Sequence, residues 1–177
     1  MSTRDKRDAP TVLPINDGPL HILAPFVPTP QDVVDRMLKL AEVNREDVIY
    51  DLGCCDGRIV ITAAKDYGAR GVGVDIEPYW VEESQANATK AGVEHLVTFK
   101  LQNALTVDMS PATVLMLYLV EWSTAKLQPI ITSSVKEGTR IVSHNFSVSN
   151  WRPAKIEKFV DAGGNPRTLY LWIVNNR

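Results

Sequence analysis

Apolar residues are arranged in two ways along this chain. At Val33, Val34, Met37, Leu38 and Ala41 they recur every three or four positions, the mark of a helix with one face turned inward. In "DVIYDL" they form a nearly continuous run ending at an acid, which reads as a strand covered on both faces. The two patterns then alternate. "RIVITAAKDYG" is helical and closes at Gly68, "ARGVGVDI" is a strand, and "YWVEESQANATKAG" is a helix stopped by Gly92. "LVTFKL" and "ATVLMLYLV" read as a third and a fourth strand, the latter closed by Tyr118. A helix over 123–135 follows, which Pro129 should kink or restart. "GTRIVSHNF" reads as a fifth strand, and "KIEKFVD" and "RTLYLWIVN" flank the turn "AGGNPR" as a closing hairpin.

Repeated strand–helix units predict an α/β fold, Rossmann-like and doubly wound, with a mostly parallel sheet, helices on both faces and a C-terminal antiparallel hairpin. At the first helix Thr29 is the expected N-cap, with Pro30 at the first helical position and Asp32 three residues after the cap. Residues 1–24 are polar and broken by prolines, so they read as a tail, leaving 25–177 as one domain.

Composition narrows the function classes. A length of 177 residues with 45% hydrophobic and 23% charged residues suits one globular domain with a full core. The formal net charge of -2 supplies no bulk attraction to nucleic acid, so a nucleic-acid partner is not expected. No apolar run approaches the roughly 18 residues of a membrane span, and "MSTRDKRDAP" lacks the apolar centre of a signal peptide. The two cysteines are neighbours, without CxxC or zinc-ligand spacing, so no metal site is expected. Free thiols and a cytoplasmic setting follow.

In a doubly wound sheet the turn after the first strand is the place to look for a ligand. Here it holds Asp51, Gly53, Cys54, Cys55 and Gly57. A dinucleotide fingerprint needs glycines at 53, 55 and 58, but 58 is Arg and the glycine falls at 57; no GKS or GKT follows to make a P-loop. Asp75 ends the next strand, where an acid takes ribose hydroxyls, although both acids could be ordinary strand ends. Cys55 stands where a middle glycine is expected. Either its φ is positive, at a cost of about 1–2 kcal/mol, or only its side-chain volume matters.

An acid at the strand end followed by small residues at alternate positions resembles motif I of the class I, seven-strand S-adenosylmethionine (SAM) methyltransferases. Further stretches, "PFVPTPQDVVDRML", "DLGCCDGRIVITAAK" and "GTRIVSHNF", make the chain similar to small archaeal and bacterial protein-lysine methyltransferases and to the enzyme that methylates the c subunit of ATP synthase. That resemblance covers about residues 25 to 175 and implies a class I methyltransferase fold with SAM as cofactor. It implies that Asp51 meets the ammonium of SAM and Asp75 the ribose, beside Ile76. Trp80 would lie against the adenine unless it is a core residue, and Asn103, with Ala104, would bond the adenine amino group. Pro28 and Thr29 would close over the methionine end, and Tyr118 would line the mouth. The chain differs from relatives at Cys55, at "VEWST" after the fourth strand, and at Asn145.

The implied acceptor is a protein lysine. At its ordinary pKa a lysine costs about 4.6 kcal/mol to neutralise at pH 7. Tyr118, Glu121 and Trp122 can supply an aromatic wall and one carboxylate to lower that cost. His144 could instead be a general base for a hydroxyl acceptor, or simply a strand-end histidine. A small-molecule acceptor and a SAM-binding protein without catalysis remain as alternatives; oligomeric state is left open.

Overall fold

In a computed structural model, residues 27–175 are described, and seven strands form one sheet in the order β3-β2-β1-β4-β5-β7-β6. The tail expected over 1–24 lies outside the described residues. The parallel strands are β1 (Val48–Leu52), β2 (Arg70–Asp75), β3 (Val97–Leu101), β4 (Val114–Leu117) and β5 (Arg140–His144). The antiparallel pair β6 (Lys155–Val160) and β7 (Pro166–Ile173) closes the sheet beside β5. The chain winds outward from β1 in both directions, so the strand order reverses between β1 and β4. Their carboxyl ends diverge into different loops there and leave a crevice.

Strand periodicity sorts the core into two layers. Ile49, Val114, Met116 and Val142 pack under α1 (Gln31–Leu40), α2 (Arg58–Tyr67) and α3 (Pro78–Ala91). Tyr50, Leu52, Leu115, Leu117 and Ile141 point the other way, against α4 (Glu121–Ser134). Buried leucines such as Leu52, Leu117 and Leu127 each contribute about 1.5–3 kcal/mol by leaving water. At the amino ends of the strands Arg140 pairs with Asp47, whose carboxylate also accepts from the Asn44 amide and the Thr113 hydroxyl.

Three local expectations change. The first helix begins at Gln31, with Pro30 as its N-cap at ψ 147°, and no side chain caps it. Thr29 is drawn into the preceding loop because its carbonyl accepts from Arg58 Nη1 at 2.9 Å, and Asp32 accepts from the Ala162 amide. Strand β4 ends at Leu117, so Tyr118 stands just beyond it. Helix α4 begins at Glu121 and passes through Pro129 without restarting. Pro129 and Ala125 are both exposed, so water can satisfy the carbonyl that loses its partner.

Candidate active site

Between Leu52 and Arg58 the chain must leave a central strand and enter a helix across a very short turn. Gly53, Cys55 and Gly57 have φ of 84°, 50° and 78°, so left-handed residues alternate through it. The amides of Gly53 and Cys54 donate to the Val74 carbonyl at 2.8 and 3.0 Å, pinning the turn to β2. The Cys55 amide donates to Asp75 Oδ2 at 2.9 Å. The two glycines are needed for different reasons. A Cβ on Gly57 would lie 2.8 Å from Phe99 and Ser84, whereas at Gly53 the nearest atom is Leu119 Cδ2 at 3.6 Å, so only the backbone conformation excludes other residues.

Cys55 therefore carries the positive φ, which costs a side chain about 1–2 kcal/mol. The two thiols face different ways: Cys55 Sγ lies 3.6 Å from the Gly53 carbonyl, while Cys54 is buried with Sγ 2.8 Å from where a Cβ on Gly73 would stand. Both are free. Burial, then the charges of Asp51 and Asp75, push both thiols far above the usual range. Burial and the neighbouring carboxylates thus disfavour a thiolate at either position.

Three carboxylates converge here. Asp51 is buried, and burial followed by the charges of Asp75 and Asp56 raises its pKa to about 8. Asp75 accepts from Cys55 at Oδ2 and from the Glu77 amide at Oδ1. Asp56 forks onto Arg58, with Oδ2 2.6 Å from Nη2, and the other arm of that guanidinium reaches the Thr29 carbonyl. Thr29, and exposed Pro28 before it, are thus tied to the glycine turn from a distant part of the chain. Beside β2, Ile76 and Trp80 are half-buried, with Trp80 edge-on to Tyr79 at 4.8 Å. After β3, Asn103 Oδ1 accepts from the Leu105 amide and caps a 3-10 turn, Ala104–Thr106, whose Ala104 is buried.

A second cluster forms past β4 and β5. The Tyr118 ring lies 3.9 Å from that of His144, tilted by 30°. His144 is fully buried, and burial, then the Arg167 charge, lower its pKa to about 4. Its Nε2 faces Arg167 Nη1 at 3.4 Å, and its Nδ1 has no hydrogen-bond partner. Arg167 Nε in turn lies 2.7 Å from Asp161 Oδ2. Glu121 opens α4 in an exposed position, and Trp122, 38% exposed, has Lys126 Nζ 5.1 Å from its ring centre.

Comparison with known proteins places this geometry. Residues 51–155, more than half of the chain, match the ANTKMT methyltransferase domain. The chain belongs to that family. It is a SAM-dependent methyltransferase. Over 85% of its length it is 42% identical to a protein-lysine N-methyltransferase of Saccharolobus islandicus, covering 93% of that protein. It is 30% identical over 75% of its length to the lysine N-methyltransferase of Xenopus laevis that is named for the ATP synthase c-subunit, and spans 58% of that protein. A solved structure of an RNA methyltransferase of Salinibacter ruber, in complex with S-adenosylhomocysteine, aligns at TM-score 0.80 and 46% identity, with 85% of this chain and 95% of that one covered.

In the methyltransferase, Asp51, the 53–57 turn and Asp75 stand side by side, and Thr29 is bonded to that group through Arg58. Tyr118 and His144 form a separate stacked pair. Glu121 has no side-chain contact with that pair among the described hydrogen bonds and ion pairs. Asn145 has φ 65°, and its Oδ1 accepts from the Thr168 amide, so its polar end is built into the β5–β7 pairing. Arg58, Arg167 and Asp161 were not singled out by sequence. For the last two the available signal was an Asp immediately before "AGGN", a composition that favours a side-chain-stabilised turn.

Proposed function

We propose that this methyltransferase transfers the methyl group of SAM to lysine side chains of protein. The observation that carries the cofactor half is the crowd of Asp51, Asp75 and Asp56 around one turn, with buried Asp51 held well above the usual carboxylate range. Such a site repels phosphate and stabilises a cation. SAM fits it, having a sulfonium and an ammonium and no pyrophosphate. Asp51 would meet the ammonium, and Asp75, whose oxygens each keep a lone pair, would accept the ribose hydroxyls. Trp80, Ile76, Asn103 and Ala104 would surround the adenine; Pro28 and Thr29 would close the methionine end beside Gly53, Cys54, Cys55 and Gly57. When bound, the cofactor supplies an electrophilic methyl group.

For the acceptor half, support comes from the two lysine methyltransferases named above and from the character of the mouth. An in-line displacement needs position and a free lone pair more than it needs a base. Tyr118, stacked on a neutral imidazole, gives a flat apolar wall that favours an uncharged amine. Glu121 would attract the incoming ammonium from outside. A cytoplasmic setting suits the free Cys54 and Cys55.

RNA is a second reading, favoured by the likeness to the RNA methyltransferase of Salinibacter ruber. Against it stands the formal net charge of -2. Incubation of the full chain with tritiated SAM and a bacterial lysate, with and without ribonuclease, separates them. Ribonuclease-resistant label that yields methyl-lysine on acid hydrolysis is the expected result. Label removed by ribonuclease would overturn the lysine reading, and label confined to the small-molecule fraction would point to a metabolite acceptor.

A further inference from the structure

The β6–β7 hairpin lies at one edge of the sheet, two strands from β4, yet the residues at the turn between its strands reach His144 and its neighbour Tyr118. Asp161 begins that turn. Its Oδ1 accepts from the amides of Gly163 and Asn165 at 2.9 Å each, so the backbone itself fixes the carboxylate. Oδ2 then takes Arg167 Nε at 2.7 Å, and the side chains of the pair are only 1% and 15% exposed. With Nε committed, the plane of the guanidinium is set. Its Nη1 comes to 3.4 Å from His144 Nε2, and the same group interacts with the Tyr118 hydroxyl.

Arginine only donates, so His144 Nε2 must be accepting. A neutral imidazole with an accepting Nε2 carries its proton on Nδ1. That nitrogen is buried and has no hydrogen-bond partner, so the ring keeps no free lone pair with which to take a proton. The titratable groups around the ring are Tyr118 from the end of β4 and Arg167 and Asp161 from the hairpin.

We propose that Arg167, oriented by Asp161, is a positioning residue of the acceptor end: it holds Tyr118 against His144 and locks the imidazole in its neutral, Nδ1-protonated form. His144 is then part of the wall, and the general-base role considered for it is excluded. The acceptor must arrive already nucleophilic, as a deprotonated amine does and a sugar hydroxyl, which needs a base to take its proton, does not. The kinetic consequence rests on the lysine reading, whereas the tautomer does not.

The test uses nitrogen-15 NMR of the imidazoles in the full chain together with initial rates from tritiated SAM into ribonuclease-treated lysate protein. In the natural chain His144 is expected to show an Nδ1-protonated neutral pattern from pH 5.5 up, a range set by its pKa of about 4. Arg167→Gln should raise its titration midpoint by about one unit and cut the rate at saturating SAM by about tenfold, leaving the KM for SAM within about twofold. Arg167→Lys should restore the low midpoint through its charge, without restoring the rate, since it lacks the fork. An Nε2-protonated or charged ring in the natural chain overturns the proposal even if the Gln variant fails to fold. So does a folded Arg167→Gln with unchanged rate and His144 signal, or a rate loss matched by a rise in KM for SAM. If natural protein labels nothing in the lysate but shows the Nδ1-protonated ring, the lysine reading fails and the positioning assignment stands.

Discussion

The proposed cofactor end and the proposed acceptor end of this methyltransferase are built differently, although both sit at the carboxyl edge of the same sheet. At the cofactor end, charge, turn and strand end lie within a short window, Asp51 to Arg58, joined to Asp75 on the adjoining strand. Its strain is in the backbone, at Cys55, the one non-glycine among three alternating left-handed residues. At the acceptor end the backbone is ordinary at Tyr118 and His144, and the arrangement depends on side chains from β4, β5 and the distant hairpin. The first region can therefore tolerate almost no change of turn geometry, while the second should tolerate local changes but respond to loss of a long-range partner.

The sharpest way to break this contrast is at Gly57. In Gly57→Ala the new Cβ meets Phe99 and Ser84 at 2.8 Å and takes up a φ of 78°. Loss of about 3 kcal/mol or more in urea unfolding is expected. A loss below about 1 kcal/mol would show that the turn is softer than described.

His144 comes next. Its folded pKa of about 4 lies below the ordinary 6.5, so the neutral ring is the form the fold selects. The associated stability is full above pH 6.5 and drains away as the pH falls toward 4. Natural protein should lose about 2–3 kcal/mol more than His144→Gln across that interval by denaturant titration. Parallel curves for the two proteins would mean that the ring is not held neutral.

Asp51 probes the cofactor end. With a pKa of about 8 it holds a proton at neutral pH in the free protein, and an incoming ammonium requires that proton to leave. Affinity for S-adenosylhomocysteine should rise from pH 6.5 to 8 by about tenfold, and Asp51→Asn should bind more weakly with a flatter profile. A profile unchanged by the substitution would remove Asp51 from the ammonium site.

Most of the sheet was legible because the periodicities are strong: β1 to β6 each lie within the apolar run that predicts them, and β7 starts one residue early, at Pro166. The ends were less so. Thr29 has the composition of an N-cap, but its carbonyl is claimed by Arg58, a tertiary contact invisible to local pattern. The alternating positions 53, 55 and 57 marked a turn of left-handed residues even though Cys55 hides its positive φ behind a side chain. Asp161 and Arg167 could not be read in the same way. Arg167 reaches a histidine 23 residues earlier in the chain, and nothing in "AGGNPR" says toward which strand the hairpin turns its guanidinium. Asn145, singled out as a departure near the mouth, proves to serve the β5–β7 pairing.

Calorimetric titration of S-adenosylhomocysteine into the natural chain and Cys55→Gly, side by side, tests the central claim that this strained turn is an intact cofactor site. The account predicts micromolar binding to both within about threefold, with glycine adding at most about 1 kcal/mol of stability because relieved strain is offset by its greater freedom when unfolded. No binding to the natural chain, restored by glycine, would contradict it.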